Sequence, residues 1–179
     1  MNDPLEILNH LDRVRAGTLS RLVDLTQAQL DWKPLVGNGE EAWSLGEVFM
    51  HLSGDEHYLR EQIARPLLEG VKPPDAIHFI PPPSPYGTQK EVIEFWFDRA
   101  RSITRGLLED ITADANLELK HEGGLAPMNG LEWFEGYAGH EAFHHKQLDE
   151  LIMQVKEHTM EGFLQNPEQV QSINKEIQS

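Results

Sequence analysis

The chain has 179 residues, of which 39% are hydrophobic, 30 are acidic and 15 are basic, and its formal net charge is -15. This size suits a single domain with a proper core, and the acidic surplus argues against nucleic acid and anionic membranes as partners because their phosphates would be repelled. The absence of cysteine excludes disulfides, thiolate metal ligands and a cysteine nucleophile.

Four long segments carry apolar residues at helical spacing, and each begins with a helix-start signal. Two of the signals are capping boxes, in which a serine or threonine is followed three residues later by a glutamate. The first segment begins with Asp3-Pro4 and ends at Leu25, and the second begins with Ser44 and Glu47 and ends at Ile63. The third begins with Thr88 and Glu91 and ends at Leu108, and the fourth begins with Asn129 and Glu132 and ends at Val155.

The segment from Val71 to Gly87 is rich in proline, which forbids regular helix, and it is long enough to cross from one end of a bundle to the other. No segment has the alternating pattern of a strand. The sequence therefore predicts an all-α four-helix bundle with one long proline-rich crossover between helices 2 and 3. We expect this domain to span residues 1–158, and residues 159–179 to form a C-terminal extension, either a short helix or a loosely attached tail.

The N-terminal segment mixes charged residues among its apolar ones and so lacks the continuous apolar stretch of a signal peptide. No later segment approaches the length and apolarity of a membrane span. We therefore expect a cytoplasmic protein without a membrane partner.

The fourth helix contains His140-Glu141-Ala142-Phe143-His144, which has the form of the H-E-x-x-H zinc signature. At about 100° per residue, His140 and His144 both fall within the apolar stripe of this helix, whereas His145 falls on its outer face. Buried imidazoles without partners cost about 1–3 kcal/mol per unpaired group. The spacing of one turn allows two ring nitrogens to converge on one ion, so the pair predicts a metal site. The alternative is that each histidine is satisfied by a carboxylate or a carbonyl in the core.

A catalytic metal commonly takes three protein ligands, and His51 of the second helix is the candidate for the third. His51 lies on the flank of the apolar stripe, with Glu47 and Asp55 one turn to each side. Either carboxylate could orient a ligating imidazole, or Asp55 could itself reach the ion. The alternative is a partly exposed histidine in ordinary surface pairs with acids.

The segments WSLGEVFMHLSGDEHY and GHEAFHHKQLDEL resemble the DinB-like (DinB/YfiT) superfamily of four-helix bundle metalloproteins. The resemblance covers about Asp3 to Lys156. Its signature is a histidine in the second helix plus a later H-x-x-x-H, which His51, His140 and His144 match, and Gln147 also fits the pattern. Many members have Arg-Gly where this chain has His145-Lys146.

The resemblance implies that His51, His140 and His144 bind one divalent metal ion, with zinc or nickel expected first and iron or copper also compatible. It further implies a homodimer and a small-molecule substrate. We expect a metal-dependent transferase or hydrolase that activates water or a low-molecular-weight thiol cosubstrate, and the lack of cysteine fits a thiol that comes from outside. The alternative is a non-catalytic metal-binding or stress-related structural bundle.

Three other metal sites fit the motifs less completely. A metzincin needs a glycine three residues after the second histidine, where this chain has Gln147. A zincin would take a downstream glutamate, Glu157, Glu161 or Glu168, as its third ligand, but convincing strands ahead of the motif are lacking. A bundle di-iron site needs two Glu-x-x-His motifs and two further glutamates. Glu141 to His144 has this form, but His51 has its glutamate four residues earlier instead of three.

Overall fold

The computed structural model of the protein describes residues 3–34, 39–74, 87–111, 114–123 and 126–164. Four long helices account for most of these residues, which confirms the predicted all-α class. In chain order, the helices are α1 (Pro4–Leu22), α2 (Gln27–Asp31), α3 (Leu45–Leu59), α4 (Arg65–Leu68), α5 (Lys90–Glu109) and α6 (Gly130–Leu164), with a 3-10 turn at Gly39–Ala42 and a π-helical turn at Arg60–Ala64.

Three of the four predicted helix starts are confirmed by their capping hydrogen bonds. The Asp3 carboxylate accepts from the Leu5 amide, and Ser44 with Glu47 forms the predicted capping box at the start of α3. Asn129 and Glu132 bond reciprocally at the start of α6. Each cap satisfies amide groups that the first helical turn leaves without partners.

The predicted capping box at Thr88 and Glu91 is wrong. The helix α5 begins at Lys90, and its N-cap residue Gln89 makes no capping hydrogen bond with its side chain. The Thr88 hydroxyl instead donates to the Asp31 carboxylate over 2.6 Å. A tertiary contact with α2 therefore takes the side chain that local spacing assigned to a cap.

The expectation that the chain contains no strands is also wrong. The strands β1 (His121–Gly123) and β2 (Ala126–Met128) pair antiparallel, with His121 opposite Met128. Three residues per strand are too few to produce a recognisable alternation of apolar and polar side chains, so periodicity could not reveal this hairpin.

The four long helices form a ring in which α1 packs against α5 and α6, and α3 also packs against α5 and α6. The buried apolar residues fall into two halves of the bundle, and each long helix contributes to both. Representative residues are Leu11, Leu59, Leu108 and Phe134 in the first half, and Leu22, Phe49, Phe97 and Leu148 in the second.

The order of these residues along the chain gives the helix directions. The helices α1 and α6 run from the first half to the second, whereas α3 and α5 run from the second half to the first. Because α3 and α5 are parallel, the connection between them must begin at one end of the bundle and finish at the other, as a long crossover requires. Residues 75–86 of the predicted crossover lie outside the described residues.

An ionic layer of four buried charged residues, Arg15, Glu56, Arg101 and Glu141, separates the two apolar halves, with one residue from each long helix. Arg15 binds Glu56 and Glu141 over 2.7 Å each. Arg101 binds Glu56 over 2.9 Å and approaches Glu141 to 3.6 Å. None of the four is more than 7% exposed. Two cations and two anions thus balance one another inside the bundle.

Neutral groups complete the hydrogen bonds of this layer. The Thr18 hydroxyl donates to Glu141 over 2.6 Å, and Tyr137 accepts from Arg15 and donates to the Leu52 carbonyl oxygen. Burial acts to raise the pKa of Glu56, but Arg15 and Arg101 outweigh it and hold that pKa below its ordinary value. Glu56 therefore remains ionised at neutral pH.

The helix α6 continues to Leu164, past the predicted domain boundary at residue 158, and residues 165–179 lie outside the described residues. The boundary stays a prediction. Within the described residues, no helix is both long enough and apolar enough to cross a membrane.

We predict that Arg15→Met lowers the free energy of unfolding by about 3–5 kcal/mol, because it leaves two buried carboxylates with only Arg101 as a cation. Urea unfolding followed by circular dichroism measures this loss. The control is Arg21→Met on the same helix, whose partner Asp149 is exposed, so it should cost less than about 1 kcal/mol. Equal losses for the two variants would contradict the importance of the ionic layer.

Candidate metal centre

Three histidines meet between α3 and α6, level with the ionic layer. His51 comes from α3, and His140 and His144 lie one turn apart on α6. One ring nitrogen from each of the three lies within 4.8 Å of the others, an arrangement that could hold a metal ion. The Nε2 atoms of His51 and His140 are 3.3 Å apart. The structure thus brings together the three residues that the sequence singled out.

A hydrogen bond fixes which nitrogen of His144 is free to bind an ion. Its Nδ1 lies 2.6 Å from Oε1 of Gln147, which can only accept. The proton therefore sits on Nδ1, and Nε2 carries the lone pair. The Gln147 amide nitrogen donates in turn to the Glu40 carbonyl oxygen over 2.9 Å, so the glutamine is itself held in place.

Burial keeps two of the imidazoles in the neutral form that binds metals. Burial lowers the pKa of His51 to about 4, against an opposing effect of Asp55, and the neighbouring His144 and His140 lower it further. Burial also lowers the pKa of His144, although its bond to Gln147 acts to raise it. Protons therefore compete little for these two side chains at neutral pH.

The site is closed on one side and open on the other. His51 is 3% exposed and His144 is 1% exposed, and the indole of Trp43 lies 4.9 Å from the His51 ring, measured between ring centroids. The side chain of His140 is 40% exposed. A small molecule can therefore approach the cluster along His140.

The two acids flanking His51 have different roles. Glu47 caps α3 and pairs with Lys33 over 2.6 Å, away from the histidines. Asp55 is buried, and its Oδ2 lies 3.0 Å from Nε2 of His140 and 3.2 Å from Nε2 of His51. Of the two acids that the sequence offered, only Asp55 belongs to the site. His51 itself is buried and does not lie on a partly exposed boundary.

Glu141 does not occupy the position of the catalytic glutamate of a zincin. Its carboxylate is fully buried and turned into the ionic layer, where it binds Arg15 and Thr18. Glu141 is therefore not a surface acid. Glu157 is exposed and lies thirteen residues after His144 on the same helix, roughly 20 Å along its axis, while the side chains of Glu161 and Glu168 lie outside the described part of the chain. Within the described part of the chain, no downstream glutamate lies where it could act as the third ligand of a zincin site.

The prediction that His145 lies on the outer face of α6 is wrong. It is half-buried against α1, and its Nε2 lies 3.0 Å from the Thr18 hydroxyl. The side chain therefore belongs to the packing of α1 on α6 and faces away from the histidine cluster.

Sequence reasoning missed the ionic layer, although a signal was present. Arg15 follows Leu8 and Leu11 and precedes Leu22 at the spacing of an apolar helix face, and Arg101 follows Ile93 and Phe97 in the same way. A charge at one such position suggests a solvated edge. When each of the four helices carries one such charge, and two of the charges are positive and two negative, the pattern instead indicates a buried ionic network.

The residues present fit a divalent transition metal. Three imidazoles are a common donor set for zinc and related ions. In the described part of the chain, the buried Asp55 carboxylate pairs only with His51 and His140. An ion would use the nitrogen lone pairs and neutralise the carboxylate.

The fold and the site together define a four-helix bundle with a candidate three-histidine metal centre. The chain matches the family model of the DinB superfamily over residues 10–148. It therefore belongs to the DinB superfamily. Searches of curated proteins and of solved structures found no significant match.

We predict that Gln147→Ala weakens metal binding 10- to 100-fold, because it removes the partner that fixes the tautomer and orientation of His144. Competition with a chelator of known affinity measures the change. Lys146→Ala, at a neighbouring exposed position, is the control and should bind as the unmodified protein does. An unchanged affinity in Gln147→Ala would show that His144 needs no such support.

Proposed function

We propose that this protein is a metal-dependent enzyme that binds one divalent ion, zinc or nickel before iron or copper, through His51, His140 and His144. The observation that supports the ligand set is the convergence of one nitrogen from each histidine within 4.8 Å. Membership of the DinB superfamily is consistent with it. A bound divalent ion supplies a Lewis acid, which lowers the pKa of water or of a thiol.

The chain's own residues contribute binding and orientation. Gln147 holds the His144 ring with its lone pair towards the cluster, and Trp43 covers the His51 ring. The exposed side of His140 leaves a path for a small substrate. This openness favours a catalytic site over a structural one, because a structural site closes its coordination with protein ligands.

A low-molecular-weight thiol is the cosubstrate that we propose for a transferase, and water is the corresponding reactant for a hydrolase. The chain has no cysteine, so a thiol must come from solution. The second candidate is a non-catalytic metal-binding or stress-related bundle, which the near-complete burial of His51 and His144 favours. A homodimer and a cytoplasmic location, without nucleic-acid or membrane partners, stay predictions.

We predict that the purified protein, without an affinity tag, holds about one divalent ion per chain and that His51→Ala and His144→Ala each lose it. Plasma mass spectrometry gives the metal content. His145→Ala is the matched control, because its ring lies next in sequence but contacts α1, and it should retain the ion. Metal retained in His51→Ala would show that the ligand set is wrong.

We predict that the cobalt-substituted protein responds to a small thiol. Addition of β-mercaptoethanol should produce a sulfur-to-cobalt charge-transfer band if a coordination position is accessible beside His140. Assays of thiol transfer and of hydrolysis with the native metal then follow. Azide, a small anionic ligand, is added in a second titration. If neither the thiol nor azide changes the cobalt spectrum, the result would contradict the enzymatic proposal and support the non-catalytic bundle.

A further inference from the structure

We propose that Asp55 is a fourth protein ligand of the metal ion, a proposal that rests on the proposed three-histidine site. Its Oδ2 atom and the Nε2 atoms of His51 and His140 form a triangle. The edges are 3.0 Å from Asp55 to His140, 3.2 Å from Asp55 to His51, and 3.3 Å between the two histidines. Adjacent ligand atoms around an ion with bonds of about 2.0–2.1 Å are roughly 2.9–3.4 Å apart in tetrahedral or octahedral geometry.

The atom that Asp55 contacts distinguishes a ligand from an orienting residue. A carboxylate that orients a ligating histidine binds the ring nitrogen facing away from the metal. Asp55 instead lies against the same Nε2 atoms of His51 and His140 that face each other across the cluster. Gln147 shows the orienting arrangement in this protein, because it binds the outer nitrogen of His144.

The charges around Asp55 give a second, independent argument. Asp55 is 4% exposed and Glu56 is fully buried, but their partners differ. Glu56 binds both Arg15 and Arg101. In the described part of the chain, Asp55 pairs with His51 and His140 and with no arginine or lysine. A buried carboxylate requires a compensating charge, and a divalent ion between the histidines supplies it.

With Asp55 as a fourth protein ligand, the thiol or water would enter as a fifth ligand on the exposed side of His140. The anionic ligand bears on which of these two reactants the site activates. Negative charge from Asp55 weakens the ion as a Lewis acid. A thiol, with an ordinary pKa of about 8.5, needs far less acidification than water at about 15.7. Asp55 therefore favours the small thiol over water among the two reactants proposed above.

The test is Asp55→Asn, with Glu47→Gln as the matched control. Glu47 and Asp55 lie one turn to either side of His51 on α3, and glutamine retains the capping box with Ser44. We expect Asp55→Asn to bind zinc at least 100-fold more weakly by chelator competition and to change the ligand-field spectrum of bound cobalt. Glu47→Gln should leave the affinity and the spectrum unchanged.

Thermal unfolding separates a ligand from a residue that only supports the fold. Without metal, Asp55→Asn should be at least as stable as the unmodified protein, because it removes a buried charge that lacks an arginine or lysine partner. With zinc added, it should gain much less stability than the unmodified protein does. A large loss of stability without metal would overturn the proposal.

Other outcomes separate this proposal from the proposed function. If the unmodified protein binds zinc and loses it on substitution of His51 or His144, while Asp55→Asn keeps both the affinity and the cobalt spectrum, only the role of Asp55 is overturned. A weakened affinity with an unchanged cobalt spectrum would also overturn it, because Asp55 would then act outside the coordination sphere. If the unmodified protein binds no metal, both proposals fail.

Discussion

The central constraint on this bundle is the charge balance of Arg15, Glu56, Arg101 and Glu141 in its interior. Removing four charges from water is costly, and the cost is offset only when each group finds its partner at close range. The observed pairs between arginine and glutamate, three of them at 2.7–2.9 Å, satisfy this requirement. Because every long helix contributes one group, the layer restricts how far each helix can slide along its neighbours.

This restriction bears directly on the histidine cluster. Glu56 follows Asp55 on α3, and Glu141 lies between His140 and His144 on α6. A shift of one turn along either helix would move its glutamate about 5.4 Å out of the ionic layer. The same shift would separate His51 from the two histidines of α6. The register that satisfies the buried charges is thus also the register that assembles the candidate metal centre.

Adjacent residues on these two helices face different electrostatic environments. Glu56 and Glu141 point into a layer that holds its own cations, whereas Asp55, His51 and His140 form a group with no arginine or lysine pairing with the Asp55 carboxylate in the described structure. In the first group, the glutamates are balanced by arginines. In the second group, the Asp55 carboxylate can be balanced by a bound cation. This contrast explains how the H-E-x-x-H pattern can arise here without the glutamate taking part in zincin chemistry.

The sequence by itself determined the four long helices, most of their caps, the family and the candidate ligands His51, His140 and His144, because periodicity, capping and one-turn spacing are local properties. The tertiary structure alone decided that Glu141 enters the core, that Thr88 binds Asp31 and that Asp55, rather than Glu47, joins the histidines. The β-hairpin and the ionic layer were likewise absent from the prediction. In each case the deciding partner lies on another segment, and the spacing of residues along one helix cannot specify what packs against it.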